Sequence, residues 1–389
     1  MEQFSQNNYQ NNYQNSSQYN QGINQQINQQ INRQSNQQYN QQYSQYNYNP
    51  GSNPGGYGYY PQPPYQSVKQ IERRKLRKLS NGLGFFALAY LICFTFIQIL
   101  LSIIDIRSEY GFFSGSTITY FVEIIISVAA GFIPGLFYYL FSRRSIADSI
   151  RVKKVSAGIL IPIIFMGLGG AMVANSATDI FLNNIGLFGI ENTVNFTEDA
   201  YTLPDVILSI IATAVVPALI EEFTFRGILM GGLRKFGDAF AILVSAVVFG
   251  AFHGNMTQAV FAFILGLVFA FIDCKTNSLI PSIIIHFANN LYAVLMDLMQ
   301  NTGAISDEVF YALYYGLTAV IAFIGILSFI YIIRRDKDFF KMSDRDKTEE
   351  PDANVLSFKE KVYNFFFTPG VIILMVCIIS EIISSIGFK

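Results

Sequence analysis

Three short polar groups interrupt apolar stretches of this sequence. They read EEFTFR at 221–226, FGAFH at 249–253 and HFANN at 286–290. A charged side chain at the centre of a membrane helix costs at least about 2.5 kcal/mol, so residues of this kind usually have a function there. The chain has two histidines, His253 and His286, and both lie in these groups. Carboxylates and imidazoles can together move protons and activate water, which makes the three groups candidates for a catalytic site.

The first group divides into a pair and a single acid. Glu222 and Arg226 are four residues apart, with the acid first, which is the better order for an ion pair on a helix. Glu221 is rotated from Glu222 by about 100° on a regular helix and has no such partner. An unpaired, poorly solvated carboxylate is suited to act as a general base. Pro217 lacks an N–H and leaves the carbonyl of Thr213 free, which predicts a polar spot nearby.

The three groups are expected to meet at one depth. At a rise of about 1.5 Å per residue, Glu221, His253, His286 and Asn290 lie roughly 16–22 Å from the charged residues at the inner ends of their helices. His286 and Asn290 are one helical turn apart and share a face. A carboxylate and an imidazole can take a proton from water, while a second imidazole and an amide can stabilise an oxyanion. This set predicts a peptidase in which water attacks the substrate.

Other interpretations use the same residues. Glu221, His253 and His286 with a water molecule would also make a catalytic zinc site. The helical HExxH spacing is absent, so the preferred hypothesis has no cofactor and keeps zinc as the alternative. Taken alone, the Glu222–Arg226 pair could hold helices together, and Phe249 could be a packing residue. The conjunction of the three groups favours catalysis.

Composition places these groups in a membrane protein. The chain has 389 residues, of which 51% are hydrophobic and 14% charged, and its mean hydropathy is +0.33. A net charge of −1 provides no positive electrostatic potential that would attract nucleic acid. The three cysteines lie in separate apolar segments without a CxxC spacing, which argues against a disulfide framework or a thiolate metal site. The prediction is an all-α, polytopic membrane helical bundle with about 8–9 transmembrane helices, preceded by a disordered N-terminal tail. The apolar segments are 83–104, 118–141, 155–177, 205–230, 239–253, 257–273, 278–300, 309–333 and 364–387.

The chain divides into four regions. Residues 1–66 form an Asn/Gln/Tyr-rich tail that is too poor in aliphatic residues to fold. Lys and Arg gather on the cytoplasmic side of membrane proteins, and their distribution places the tail inside and the C-terminus outside. The low-complexity tail points to a bacterial cell membrane. The regions after the tail are N-terminal transmembrane helices (67–203), a catalytic core (204–300), and C-terminal transmembrane helices with a charged cytoplasmic loop at 334–363 (301–389).

At the three groups the chain resembles the CPBP family of intramembrane proteases, which comprises type II CAAX prenyl endopeptidases and bacteriocin-processing or Abi proteins. The family pattern is EExxxR, FxxxH and HxxxN, and it is matched by Glu221, Glu222, Arg226, Phe249, His253, His286 and Asn290. The resemblance covers roughly residues 205–300. It implies a helical core with a cavity opening toward the cytoplasm. It also implies that Glu221 and His253 activate water and that His286 and Asn290 stabilise the oxyanion, with Glu222, Arg226 and Phe249 in support.

Three functions compete. The first is an intramembrane endopeptidase that cleaves a membrane-associated peptide or protein, in CAAX-type processing or a bacteriocin-related role. The second is a non-catalytic membrane scaffold of the same family, whose tail recruits cytoplasmic partners. A transporter is the third, and the absence of a second EExxxR segment counts against it. For each of these functions the protein is expected to be surrounded by the lipid bilayer. Nucleic acid is not expected to be a partner.

Overall fold

The protein is built almost entirely from helices. A computed structural model describes residues 67–108, 115–142, 149–188, 190–192, 202–301, 305–341 and 355–388, and the predicted tail lies outside this part. The helices within it are α1 (Val68–Ser108), α2 (Gly115–Ser142), α3 (Ala157–Gly186), α4 (Leu203–Phe236), α5 (Asp238–Ala251), α6 (Met256–Thr276), α7 (Ile280–Asn301), α8 (Asp307–Arg335), α9 (Phe358–Phe366) and α10 (Pro369–Ser384).

Most of these helices can cross a membrane. In the described part of the chain, seven are long and apolar enough to span it, namely α1 to α4 and α6 to α8, and α9 with α10 would make an eighth. The all-α membrane bundle predicted from the sequence is therefore confirmed. The segment predicted as 239–253 is apolar but forms only the 14-residue helix α5. That length is short of the roughly 20 residues that a full span needs.

The last predicted segment, 364–387, is not one helix. It contains the end of α9 and all of α10, and these two helices meet at an angle of 74°. The break falls at Phe367 and Thr368, directly before Pro369 at the start of α10. A residue that precedes proline is disfavoured in helical geometry, and proline itself is well suited to the first turn of a helix. Pro369 therefore both ends α9 and starts α10.

A short pair of strands joins two distant parts of the chain. Strand β1 (Ile190–Asn192) pairs antiparallel with β2 (Ile386–Phe388), with Glu191 opposite Gly387. Both segments are expected on the outer side, and their pairing places them at the same end of the bundle. The orientation of that end relative to the membrane stays a prediction.

Helix α4, which carries the first polar group, is irregular. Its regular turns at Val216–Glu221 are flanked by π-helical turns at Ile211–Val215 and Glu222–Met230. Such turns are uncommon and often occur at functional sites, because their wider hydrogen bonding re-aims side chains and backbone carbonyls. The sequence prediction assumed regular helical angles throughout this segment. The angle between the side chains of Glu221 and Glu222 therefore need not be the roughly 100° of a regular helix.

Helices α4, α5 and α6 form the centre of the bundle. The buried core includes Phe225 of α4, Phe240 and Phe249 of α5 and Ala262 of α6. Large apolar side chains on the outer faces remain exposed, as expected for a surface covered by lipid. The polar groups therefore lie in the part of the molecule with the most complete packing.

Candidate active site

A fully buried ion pair lies at the centre of the site. The Nη1 atom of Arg226 donates to Oε1 of Glu222 at 3.0 Å, and neither side chain is exposed. The guanidinium lies over two aromatic rings, with its Cζ atom 4.1 Å from the centroid of Phe249 and 5.2 Å from that of Phe269. A cation over a ring face is attracted by the ring electrons. Phe249 therefore does more than fill space, because it holds the arginine that neutralises Glu222.

His286 joins both carboxylates of the first polar group. Its Nδ1 atom lies 3.1 Å from Oε1 of Glu222, and its Nε2 atom lies 3.8 Å from Oε2 of Glu221. The ring packs against Phe269 at a centroid distance of 5.3 Å. An ionised carboxylate can only accept, so Nδ1 carries the proton and donates it to Glu222. Glu222 therefore fixes the orientation of His286 as well as pairing with Arg226, a role that the sequence did not predict.

Glu221 is the less buried of the two acids. Its side chain is 23% exposed, but its Oε2 atom is buried without a hydrogen-bond partner in the described protein. A buried carboxylate oxygen of this kind stabilises a water molecule or a substrate group that can donate to it. The charge of Glu221 also interacts with the His253 ring and with the hydroxyl of Tyr90 on α1. Glu222 pairs with Arg226 and His286 through Oε1, whereas the nearest ionic partner of Glu221 is 3.8 Å away. Glu221 is therefore the better candidate for a general base.

His253 is held by the backbone of its own segment. It follows the end of α5, where its Nδ1 atom lies 2.9 Å from the carbonyl oxygen of Phe249. A carbonyl oxygen can only accept, so Nδ1 must carry a proton. In the neutral ring the lone pair is then on Nε2, which is the form a general base requires. The ring also meets Phe249 edge-on at a centroid distance of 5.0 Å, which limits its rotation.

The turn after His253 fixes the position of the ring. Gly254 has a φ of +66°, which glycine adopts without strain. Asn255 is buried, caps α6 by accepting from the backbone N–H of Gln258, and donates to the carbonyl of His253 at 2.8 Å. A Cβ atom placed on Gly254 would lie 3.2 Å from Oε2 of Glu381 on α10. Gly254 and Asn255 were not predicted as site residues, although an Asn directly before an apolar run is a recognisable helix cap.

Asn290 lies on α7 one turn beyond His286 but contacts a different part of α4. Its Nδ2 atom donates to the carbonyl oxygen of Thr213 at 3.1 Å, and its Oδ1 atom accepts from Asn289 at 3.2 Å. Pro217 has no N–H to give to that carbonyl, which is the polar spot expected from the sequence. The structure brings Asn290 to Thr213 rather than to the carboxylates. A second N–H of the same amide remains for an oxyanion.

The alternative zinc site stays a hypothesis. Within the described ranges, no three His, Cys, Asp or Glu side chains are grouped so that they could hold a metal ion. Glu221, His253 and His286 are the proposed zinc ligands. The Nδ1 atoms of both histidines face protein acceptors, so a metal could be bound only through Nε2.

A second ionic network supports the site from the end of the bundle that is predicted to face the cytoplasm. Arg151, in the segment before α3, donates from Nη2 to Oδ2 of Asp273 at 2.6 Å and to the carbonyl oxygen of Arg226 at 2.9 Å. Gly231 makes room for this side chain, because a Cβ atom there would lie 2.6 Å from Nη1 of Arg151. The sequence did not single out Arg151 or Asp273 as site residues. Their pairing joins residues 122 positions apart and has no local signature.

We expect Arg151→Met to destabilise the protein by about 3 kcal/mol, because it leaves the buried Asp273 carboxylate without its partner. The measurement is the thermal or denaturant unfolding of the full chain in detergent micelles. In the double variant Arg151→Met/Asp273→Leu both charges are removed, so most of that stability should return. A double variant that is no more stable than Arg151→Met would contradict this interpretation.

Comparisons with known proteins identify the same region. Residues 203–292 match the family described as type II CAAX prenyl endopeptidase Rce1-like. The chain is also similar to a protein of Bacillus subtilis (strain 168) described as "Putative membrane peptidase YdiL", with 29% identity over 159 residues. That alignment covers 40% of this chain and 61% of the relative, so the chain matches less than two thirds of it. No solved structure matches the chain. The matched residues contain the whole polar constellation.

Proposed function

We propose that this chain is an intramembrane endopeptidase that hydrolyses peptide bonds with water activated by Glu221 and His253. The similarity of residues 203–292 to the type II CAAX prenyl endopeptidase Rce1-like family supports this proposal. One observation supports this proposal above the others. Two carboxylates and two imidazoles converge inside an apolar bundle, and Oε2 of Glu221 and Nε2 of His253 have no hydrogen-bond partner among the described residues. If these residues served only to hold the helices together, Glu221 and His253 would be expected to bond to other side chains.

In the proposed first step, a water molecule donates to Oε2 of Glu221 and attacks the carbonyl carbon of the scissile peptide bond. As the new C–O bond forms, the water proton passes to the Glu221 carboxylate, assisted by Nε2 of His253. The electron pair of the carbonyl bond moves to its oxygen. General-base assistance of this kind contributes about 10²- to 10⁴-fold to a rate.

In the second step the tetrahedral intermediate collapses. We assign the stabilisation of its oxyanion to His286 and to the second N–H of the Asn290 amide. His286 donates from Nε2 only as an imidazolium, because its Nδ1 proton is engaged by Glu222. The C–N bond breaks as the oxyanion reforms a carbonyl, and the proton held by Glu221 and His253 moves to the leaving amine. The products are a carboxylic acid and an amine, which balances the addition of one water molecule.

Glu222, Arg226 and Phe249 act as positioning residues in this proposal. Arg226 neutralises Glu222, Glu222 orients His286, and Phe249 packs on Arg226 and accepts from His253 through its backbone carbonyl. The substrate is proposed to be a membrane-associated peptide or protein. The location is proposed to be a bacterial cell membrane, with the N-terminus in the cytoplasm and the C-terminus outside.

The proposed function is tested by comparing membrane peptidomes of cells that carry the wild type with cells that carry Glu221→Gln. Peptides with new C-termini should be present in the first and absent in the second, at equal levels of the membrane protein. Identical peptidomes together with a shared phenotype would favour the non-catalytic scaffold instead.

We further expect cleavage by the purified protein to continue in an excess of a strong zinc chelator, because no residue in the proposed reaction is assigned to a metal. The rate of cleavage of a membrane-anchored peptide is measured before and after prolonged chelation. Loss of activity that returns with added zinc, but not with magnesium, would contradict the metal-free mechanism.

A further inference from the structure

A basic cleft lies at the end of the bundle that is predicted to face the cytoplasm, and its lining residues are distant in sequence from the candidate active site. It has a volume of about 580 Å³ where α1 meets the bend between α9 and α10. Its lining includes Arg73, Arg74, Arg77, Lys78 and Asn81 of α1 and Pro369 of α10. Four cationic side chains around one cleft create a strongly positive local field. We refer to these six residues as the basic cleft.

Only part of this charge is neutralised by the protein. Arg73 lies 3.5 Å from Oε1 of Glu360, which also pairs with Lys69 at 2.8 Å. Arg77 donates to the carbonyl oxygen of Phe367 at 3.2 Å. Among the described residues, no carboxylate lies within ion-pair distance of Arg74 or Lys78. The cleft therefore retains at least two cations for an anionic ligand.

The first turn of α10 adds to the positive field. The 74° bend after α9 brings this end of α10 to α1, where Asn81 accepts from the backbone N–H of Gly370 at 2.9 Å. The N-terminal end of a helix carries a partial positive charge and favours phosphate groups. Two elements of different origin, the basic face of α1 and the start of α10, therefore favour the same kind of ligand.

The surface beside the cleft indicates whether the anionic ligand is a lipid or a free anion. Along α1, Lys78 is followed at intervals of seven, seven and four residues by Phe85, Ile92 and Phe96, so the four lie along one helix face. The exposed fractions of the three apolar side chains are 47%, 58% and 59%. A ligand with its anionic group in the cleft would therefore have a continuous apolar surface beside it. Inorganic phosphate would use the cations and leave that surface unexplained.

We propose that the basic cleft binds the phosphate headgroup of an anionic glycerophospholipid, whose acyl chains lie along Phe85, Ile92 and Phe96. Arginine is well suited to the headgroup, since its planar guanidinium can donate two parallel hydrogen bonds to phosphate oxygens. The bound lipid would join α1 to the α9–α10 bend. Glu381 of α10 packs at the turn that carries His253, so the site would also stabilise the helix beside the catalytic turn.

The test uses the purified, delipidated full chain in neutral detergent and measures its thermal unfolding while phosphatidylglycerol is added. A ligand that binds only the folded state raises the unfolding temperature in a saturable manner. Phosphatidylcholine and inorganic phosphate are titrated in parallel. We expect phosphatidylglycerol to stabilise the wild type at concentrations at which neither of the other two does.

The variant Arg74→Gln/Lys78→Gln removes the two cations without a protein carboxylate partner. Both side chains are exposed, so the fold should persist, which size-exclusion chromatography checks. We expect its apparent affinity for phosphatidylglycerol to fall about tenfold. The matched control, Lys153→Gln/Lys154→Gln, removes the same charge from exposed positions outside the cleft and should bind as the wild type does.

Three results would overturn the proposal. The first is equal stabilisation of wild type and Arg74→Gln/Lys78→Gln by phosphatidylglycerol. The second is equal stabilisation of the wild type by phosphatidylcholine, which would remove the requirement for net negative charge. The third is full stabilisation by inorganic phosphate alone, which would assign the cleft to a free anion instead of a lipid.

Discussion

Glu221→Gln is expected to reduce the rate of peptide cleavage by about a thousandfold while the protein still inserts and folds. The substituted amide has nearly the shape of the acid but cannot take a proton from water. Glu221 makes no short hydrogen bond to the described protein, and its nearest ionic partner is Nε2 of His286 at 3.8 Å. Loss of its charge should therefore affect chemistry far more than stability. The measurement combines the rate of cleavage of a membrane-anchored peptide with the unfolding temperature of the same preparation.

The matched control is Glu123→Gln, which removes a half-buried carboxylate from α2, outside the candidate site. It should cleave at a rate close to that of the wild type. If Glu221→Gln also cleaved at the wild-type rate, Glu221 would not be the base. If it were inactive only because it unfolded, the unfolding temperature would show this directly.

Arg226→Met is expected to have the largest effect on stability, a loss of about 3–5 kcal/mol, because it leaves the Glu222 carboxylate buried without its cation. Arg226 is fully buried, and the substitution also removes the contact of its guanidinium with the rings of Phe249 and Phe269. The double variant Glu222→Gln/Arg226→Met removes both charges and should recover much of that loss. Unfolding of the three proteins in the same detergent measures the coupling.

The rates of peptide cleavage by the same variants distinguish a role of Glu222 in orienting His286 from a role in stability alone. The double variant should remain inactive even where its stability is restored, because the neutral amide introduced by Glu222→Gln would no longer hold His286 as an ionised carboxylate does. An Arg226→Met protein as stable as the wild type would contradict the assignment of a buried, structurally essential ion pair.

Much of the site could be predicted because its signals are local. Glu222 and Arg226 are one turn apart on the same helix, so their pairing follows from spacing alone. Pro217 lacks one backbone donor, and the structure places the amide of Asn290 on the Thr213 carbonyl that this leaves free. Most of the apolar segments could also be predicted, since the length of a spanning helix reflects the thickness of the membrane.

The remaining features depend on tertiary contacts or on departures from regular helix geometry. The π-helical turns after Glu221 are not encoded in a 3.6-residue period, and neither is the approach of both carboxylates to the single ring of His286. In the sequence Phe269 does not differ from the other apolar residues of its helix, and only the fold brings its ring beside Arg226. The bend at Phe367 was overlooked although Pro369 is a local signal, because apolar residues continue on both sides of it.

The most direct test of hydrolysis by a shared Glu221–His253 site is a kinetic double-mutant cycle. The rates of cleavage of one membrane-anchored peptide are measured for the wild type, Glu221→Gln, His253→Gln and the variant that carries both substitutions. Residues that act as one catalytic unit give strongly non-additive losses, so the double variant should be about as slow as the slower single variant. Losses that multiply in the double variant, or a wild-type rate in either single variant, would contradict a shared site.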